Sequence, residues 1–249
     1  MNVNIQGPPI VFTIPVLGGI PITSTLLITW AIMLVLTGLC IFLTRNLKVT
    51  NISKRQAIAE FLVKTAENFV HGNMGPKWDS YVPLVSALFA LSIVSSLSSL
   101  VGVYSPTADL NTVLAWAVLV FVLITYTKIR TNGVLGYAKG FTEPIFVLTP
   151  FNIISELATP ISMAFRHYGN IVSGYVISTL VYAALAALNQ AVFGWLPGVV
   201  GAWLGSIPIL SFGIPAVLSL YFDWFSSFMQ AFIFCMLTMM YIASAAESD

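Results

Sequence analysis

Arg166 is the residue in this sequence that most needs a chemical explanation. It stands alone in a hydrophobic run, apart from the other nine basic residues. A guanidinium near the centre of a membrane helix costs about 3 kcal/mol on insertion scales, and it cannot shed its proton to escape that cost. It therefore calls for a partner carboxylate or an aqueous cavity. The bland alternative is that it snorkels at a helix start, with Tyr168–Asn189 as the true span. Asn170 lies one turn on and Ser173 two turns on, so the three make a polar stripe on one helix face. Gly169 and Gly174 keep that helix slim enough for another backbone to approach. In the last apolar region Asp223 and Gln230 are seven apart, again on one face. Glu156, ten residues before Arg166, is a further ionisable group here. His167 points about 100° away from Arg166, which suits packing or an interfacial place first and proton handling second. Singly, each polar group could be a helix–helix hydrogen bond. A lone acid and a lone arginine on facing membrane helices are less easily dismissed.

The elements that must hold these residues are set by composition. Of 249 residues 58% are hydrophobic and only 8% charged, with a mean hydropathy of +0.92. Soluble domains are usually about 25% charged, so too little polar surface exists to wrap a water-soluble core. Soluble enzymes, nucleic-acid binders and disordered regulators are excluded, and the net charge of +1 offers no basic field for nucleic acid. An all-α polytopic membrane protein is expected, with lipid as its solvent. Cys40 and Cys235 sit in apolar stretches without metal-binding neighbours and read as small buried apolar residues. No metal or cofactor is expected. The first residues lack a signal peptide's basic start and cleavage site, so no removed segment is expected.

Reading along the chain as one integral domain, residues 1–23 form an outer segment and 24–43 a first span of the length a bilayer requires. Residues 52–75 come next as an amphipathic interfacial helix. There Ser53-Lys54-Arg55-Gln56 fits a capping box, and Ile58, Phe61, Leu62, Ala66 and Phe69 recur at helical spacing. Its bases would face anionic headgroups; a docking helix for a partner is the alternative. Spans at 81–103 and 112–127 flank the turn Ser105–Asp109, where Asp109 reads as a helix N-cap. A basic loop from Lys128 to Lys139 is expected after them, with Gly133, Gly136 and Gly140 as breakers. Two long apolar regions, 145–193 and 207–245, complete the chain. Forty helical residues extend about 60 Å against a hydrocarbon core of about 30 Å, so each region must be broken, as at Pro160, or steeply tilted. Nine of the ten bases fall in the two segments expected inside, which puts the N-terminus outside and the C-terminus in the cytoplasm after five crossings.

Four blocks, in order, make the sequence recognisable. Ser162-Met163-Ala164-Phe165-Arg166-His167-Tyr168-Gly169-Asn170, followed by Ser173-Gly174, resembles the S-L-x-L-R-L-F-G-N-x-x-A-G signature of subunit a of F-type ATP synthases. Ser105–Asn111 resembles that family's P-T-A-D-x-N turn, and Pro150–Ala158 its P-x-N-I-I-E-E-x-A block. Gln230–Phe234, then Leu237-Thr238 and Tyr241, resembles the terminal Q-A-F-I-F-x-x-L-T-x-x-Y. The resemblance implies that Arg166 is the stator arginine facing a rotor ring of c subunits, with Asn170 beside it and Gln230 its neighbour on the last helix. It implies two aqueous half-channels coupling H+ or Na+ flow to rotation, and a tilted hairpin of the last two helices. Its partners would be the c ring, b subunits of the peripheral stalk, other ATP synthase subunits and membrane lipid, in a bacterial plasma membrane.

The chain departs from the family at three points. The family usually has Leu where His167 stands, and often Glu or His where Tyr175 stands; Asp223 supplies an acid where some members have His and others Glu. Asp223, Ser173 and Tyr175 could line a wet path, which leaves proton and sodium coupling both open. No Walker A motif is present, so the chain is not expected to handle ATP itself. A secondary antiporter would also need a buried Arg and carboxylates, but repeats and discontinuous helices are not evident. A purely structural membrane subunit would not need Arg166.

Overall fold

The computed structural model describes residues 8–15, 19–143, 145–193, 213, 217–218 and 220–246. The expected outer loop Gly194–Gly205, the beginning of the last apolar region at Ile207 and the terminal Glu247 and Asp249 lie outside the described residues. Strands β1 (Ile10–Ile14) and β2 (Ile20–Thr23) pair antiparallel, with Ile14 opposite Ile20 and a bulge between Ile10 and Phe12. The reading of residues 1–23 as an outer segment does not include this hairpin, the one sheet among the described residues. It leads directly into α1 (Ser24–Thr44), and α2 (Lys54–Met74) comes after a short connection. A 3-10 turn at Pro76–Tyr81 feeds α3 (Val82–Leu97), and another at Pro106–Ala108 precedes α4 (Leu110–Gly140). Helix α5 runs from Thr149 to Phe193, and a π-helical turn at Leu220–Ser226 opens into α6 (Ser227–Ala246). Among the described residues five helical stretches are long and apolar enough to cross a membrane; α2 is not one of them.

Local chemistry explains the boundaries. Ser53 Oγ accepts from the Gln56 N–H at 3.3 Å, which starts α2 as the capping pattern requires. The Gln56 amide does not reach back to Ser53. It brackets Lys48 instead, accepting from its N–H and donating to its carbonyl, and donates to Glu60. Asp109 caps α4 through the Asn111 N–H at 3.0 Å and also accepts from Thr25 Oγ1 at 2.7 Å, tying the turn to α1. Hydrogen bonds to a charged acceptor contribute about 1.5–3 kcal/mol each.

Two expectations need correction. Lys128–Lys139 is no loop: α4 continues through it, because its Lys, Arg, Leu, Tyr and Ala are good or tolerable helix residues. Only Gly133, at φ 72°, leaves the helical conformation, and the helix resumes after it. Cys40 is exposed, not buried, on α1, whose surface also presents Leu34, Val35, Leu39 and Ile41 around the helix. In a span that surface meets lipid, where a small apolar thiol is as well placed as in a core.

Packing is inverted relative to a water-soluble bundle. Ser92, Ser95, Thr107, Thr127, His167, Gln230 and Thr238 are buried, while long aliphatic residues cover the outside. Lipid tails give apolar side chains no reason to hide, so helices meet through small groups and polar contacts. Many hydroxyls are satisfied on the carbonyl one turn back, as Thr127 on Leu123 and Thr238 on Phe234. The apolar core gathers Val85 and Leu88 of α3, Val113, Ala117 and Val120 of α4, Met163 of α5, and Phe234 and Met239 of α6, with Val70 of α2 closing one end.

Candidate functional site

Helix α5 continues unbroken through Pro160 and carries Arg166 near its middle. Successive side chains on a helix point about 100° apart, and that rotation sends two neighbours to opposite environments. Arg166 is exposed on the outer side of α5, and His167, the next residue, is completely buried. Inside, the His167 ring meets Trp116 of α4 and Phe234 of α6 edge-on, at centroid distances of 6.2 and 5.7 Å, and its Nε2 lies 3.4 Å from Ser92 Oγ of α3. His167 therefore packs three helices together directly behind the arginine. Among the described residues Arg166 forms no ion pair; the three pairs present are His71–Asp79, Lys128–Glu156 and Lys139–Glu143.

Two contacts set how α5 and α6 run past one another. His167 meets Phe234, and seven residues further along α5 Gly174 faces Phe222, so the helices are antiparallel. Gln230 is one turn before Phe234 and Asn170 one turn after His167, which places the two amides at one level, just beyond Arg166. Gln230 is buried and Asn170 half-buried. Ser173 is exposed and donates to the Asn170 carbonyl at 3.1 Å, and Tyr175 is exposed.

Asp223 sits inside the π-helical turn, half-buried. A π turn holds roughly 4.4 residues against 3.6, so the three steps from Asp223 to Ser226 swing it about 55° from its α-helical direction. Asp223 and Gln230, expected on one face, are thereby turned further apart than α-helical spacing gives. No periodicity argument on an ideal α-helix anticipates that rotation.

Glu156 is not part of the Arg166 group. It lies ten residues, almost three turns, back along α5 and takes the Lys128 ammonium of α4 at 2.7 and 2.8 Å. This pair lines a cavity of about 420 Å³ between α4, α5 and the end of α6, together with Tyr137, Asn152, Thr159 and Ser244. Pro160 has no N–H to offer the Glu156 carbonyl four residues back. In the sequence Lys128 is only a topology signal. Its place as the partner of Glu156 depends on the helical path of α4 through Lys128–Lys139, where the glycines predict a loop.

The opposite end of the bundle has its own polar group, in which Tyr104 is announced by no motif in the sequence. Tyr104, between α3 and α4, has its phenol pushed above the ordinary value of 10.0, first by burial, then by the Asp109 carboxylate, with the phenols of Tyr168 and Tyr175 acting in the same sense. The P-T-A-D turn thus lies against the Tyr168–Tyr175 stretch of α5. Ser105, Thr107 and Ser96 continue the polar contact inward through hydroxyl bonds of 2.8 and 3.0 Å.

The sequence profile of the ATP synthase A chain matches residues 26–243, nearly the whole length. The chain belongs to the ATP synthase A chain family. It is 31% identical to the "ATP synthase subunit a, sodium ion specific" of Propionigenium modestum, over 96% of this chain and 84% of that one. It is 32% identical to ATP synthase subunit a of Desulforamulus reducens, over 90% and 80% of the two chains. With "ATP synthase subunit a 1" of Chlorobaculum parvum the identity is 30%, over 93% and 92%. As a member of the ATP synthase A chain family, with five membrane-length helices, the protein is an integral membrane subunit of a larger complex. Other ATP synthase subunits are its partners.

Proposed function

We propose that this subunit is the ion-conducting stator of a rotary ATP synthase, with Arg166 facing the carboxylates of a ring of c subunits. The observation that carries the reading is the arginine's position. A permanent cation sits mid-span on the outward side of α5, and no carboxylate among the described residues pairs with it. Its natural counter-ion is a carboxylate supplied by a neighbouring subunit in the membrane.

Electrostatics supplies the mechanism. A ring carboxylate crosses lipid only when neutralised by a bound ion, because an ionised one is costly there. Opposite Arg166 it gives the ion up, since guanidinium and carboxylate about 4 Å apart attract by roughly 4 kcal/mol at an effective dielectric near 20. That favours release and still lets rotation proceed. The same cation bars an ion from passing straight between the two access paths. The outer path is lined by Asp223, Ser173 and Tyr175, with Asn170 and Gln230 at its inner limit. The inner path opens through the Glu156–Lys128 cavity, at the end of the bundle where the bases collect, which is the cytoplasmic end under the positive-inside rule. Helix α5, about 68 Å long at 1.5 Å per residue, lies steeply tilted along the ring with α6. The b subunits of a peripheral stalk hold the subunit against rotation, in a bacterial plasma membrane with the N-terminus outside. An ion falling through 100 mV releases about 2.3 kcal/mol, which rotation carries to the catalytic head.

Arg166→Ala in the complete complex tests this. Assembly is expected to persist and ion-driven ATP synthesis in inverted vesicles to vanish; near-normal coupled synthesis would reject the assignment. A second reading concerns the ion. The similarity to a relative whose name specifies sodium, together with Tyr175 and Asp223 on the outer path, favours Na+ over H+. Activation of ATP hydrolysis by millimolar sodium at fixed alkaline pH, with sodium shielding the ring carboxylate from carbodiimide, supports sodium. Indifference to sodium in both assays leaves protons.

A further inference from the structure

Gly174 is buried in α5, against the π-helical turn that carries Asp223. A Cβ added at Gly174 would come 3.0 Å from Phe222 Cδ1 and 3.3 Å from both Phe222 Cγ and Phe222 Cβ. The contact with Cβ is the one that cannot be relieved cheaply. Rotating the phenyl ring relieves Cδ1 but leaves Phe222 Cβ in place, and a Cβ moves only with its backbone. The ring is itself held edge-on by Tyr221, at 5.1 Å, and Tyr221 stacks on Phe225 at 5.6 Å. Residue 222 is thus wedged between a bare stretch of α5 and its own aromatic neighbours, and Asp223 is the next residue. A π turn is a locally irregular winding that persists where its surroundings specify it, and this contact is such a specification.

We infer that Gly174 is a positioning residue for ion access: the absence of its side chain seats Phe222, keeps the turn in π winding, and so aims Asp223. This inference rests on the stator reading, in which Asp223 lines the outer path. A methyl at 174 would push the turn outward by a few tenths of an ångström and rotate the carboxylate off the path. The helix would lose no hydrogen bond, and Arg166, two turns away, would keep its place. The expected signature is weaker loading from outside with turnover preserved.

The test uses the whole complex in proteoliposomes, with ATP synthesis driven by a fixed potassium diffusion potential. The proton concentration on the outer side is varied, and then the sodium concentration. Gly174→Ala should raise the outer ion concentration for half-maximal synthesis by about tenfold, as sub-ångström misplacement of a reacting group commonly does, while the maximal rate stays within about twofold. Phe222→Gly in the G174A background removes the contacts with Cδ1, Cγ and Cβ together and should recover most of the shift. An unchanged profile in G174A, or a shift that the second substitution does not recover, overturns the inference. Should the G174A complex fail to assemble, Phe222→Ala alone decides: it unseats the turn from the other side, and an unaltered half-maximal concentration rejects the proposal. Arg166→Ala, run in parallel, separates the two readings. If R166A retains coupled synthesis, the stator reading falls; if R166A is inactive and G174A is unaltered, only this inference falls.

Discussion

Helix α5 carries two charges ten residues apart, and the protein treats them in opposite ways. Glu156 has its counter-ion within the chain, with Lys128 of α4 holding both carboxylate oxygens beside a polar cavity. Arg166 is turned to the outside, paired with no acid among the described residues, while the side chain immediately after it is sealed inside by Ser92, Trp116 and Phe234. A charge answered in cis stabilises a fold and tunes a local site. A charge held rigidly and left unanswered raises the energy of the isolated subunit and lowers that of a complex that supplies the opposite charge. His167 matters to this contrast because it fixes the rotation of α5, and so the direction of the arginine, from behind.

The largest effect should come from exchanging the cation types at the two places. Arg166→Lys is expected to abolish coupled synthesis. Its ammonium lacks the planar fork, is more strongly hydrated, and loses its charge more readily in a dry setting. Lys128→Arg keeps a cation against Glu156 and should hold synthesis within about threefold of the unsubstituted complex. Both are read in inverted vesicles. Equal tolerance at the two positions would dissolve the contrast.

Asp223 is the next test, since its π turn packs on α5 at Gly174 and it could belong to either class. With Cys40 and Cys235 replaced by alanine, a cysteine introduced by Asp223→Cys should react with a water-soluble thiol reagent added from the outer side. Inertness from both sides would make Asp223 a dry structural partner. Asp223→Asn should lower synthesis about tenfold, toward the range typical of a lost proton or ion carrier.

A smaller effect is expected at the inner cavity. Lys128→Met, Glu156→Gln and the double variant form a cycle on the thermal stability of the purified complex. The pair is partly solvated, with side-chain exposures of 31% and 17%, so a coupling of about 1 kcal/mol is expected, toward the upper end for surface pairs. Glu156→Gln should also slow synthesis several-fold without abolishing it. Zero coupling would mean that Lys128 and Glu156 are neighbours without being partners.

The sequence carries the arginine, its stripe of Asn170 and Ser173, the α2 cap and five membrane-length helices, because all of these depend on composition or on 3.6-residue periodicity. It does not carry the Lys128–Glu156 pair. That pair joins residues far apart in sequence, and three glycines argue for a loop where only Gly133 departs from the helix. The direction of Asp223 is hidden for a related reason: periodicity assumes a regular winding, and the π turn breaks it. The β1–β2 hairpin escapes because its apolar strands, Ile10–Ile14 and Ile20–Thr23, are only five and four residues long and blend into an apolar chain. Tyr104 escapes because nothing in its neighbourhood announces a contact with α5; only folding brings Tyr168 and Tyr175 to it.

Tyr104 also supplies the smallest effect and a third case for the comparison, a carboxylate answered in cis by a hydroxyl and a backbone N–H instead of by a cation. Asp109 is held by Thr25 and by the Asn111 N–H, and it opposes ionisation of the neighbouring phenol. The folded protein thus keeps the Tyr104 proton longer than the unfolded chain does. A group with a raised value gives stability that is fully present below the ordinary value near 10 and is lost as pH rises through the raised one. Tyr104→Phe removes this contribution to the alkaline limb and leaves neutral pH nearly untouched. The apparent melting temperature of the detergent-purified complex should therefore fall less steeply above about pH 10 in Y104F than in the unsubstituted complex, with the two curves converging near pH 8. Other tyrosines contribute equally to both curves, so the difference isolates Tyr104. Asp109→Asn withdraws one of the two main causes of the raised value and should narrow that difference. Identical alkaline limbs in the Y104F and unsubstituted complexes would show that neither burial nor the Asp109 carboxylate acts on the phenol.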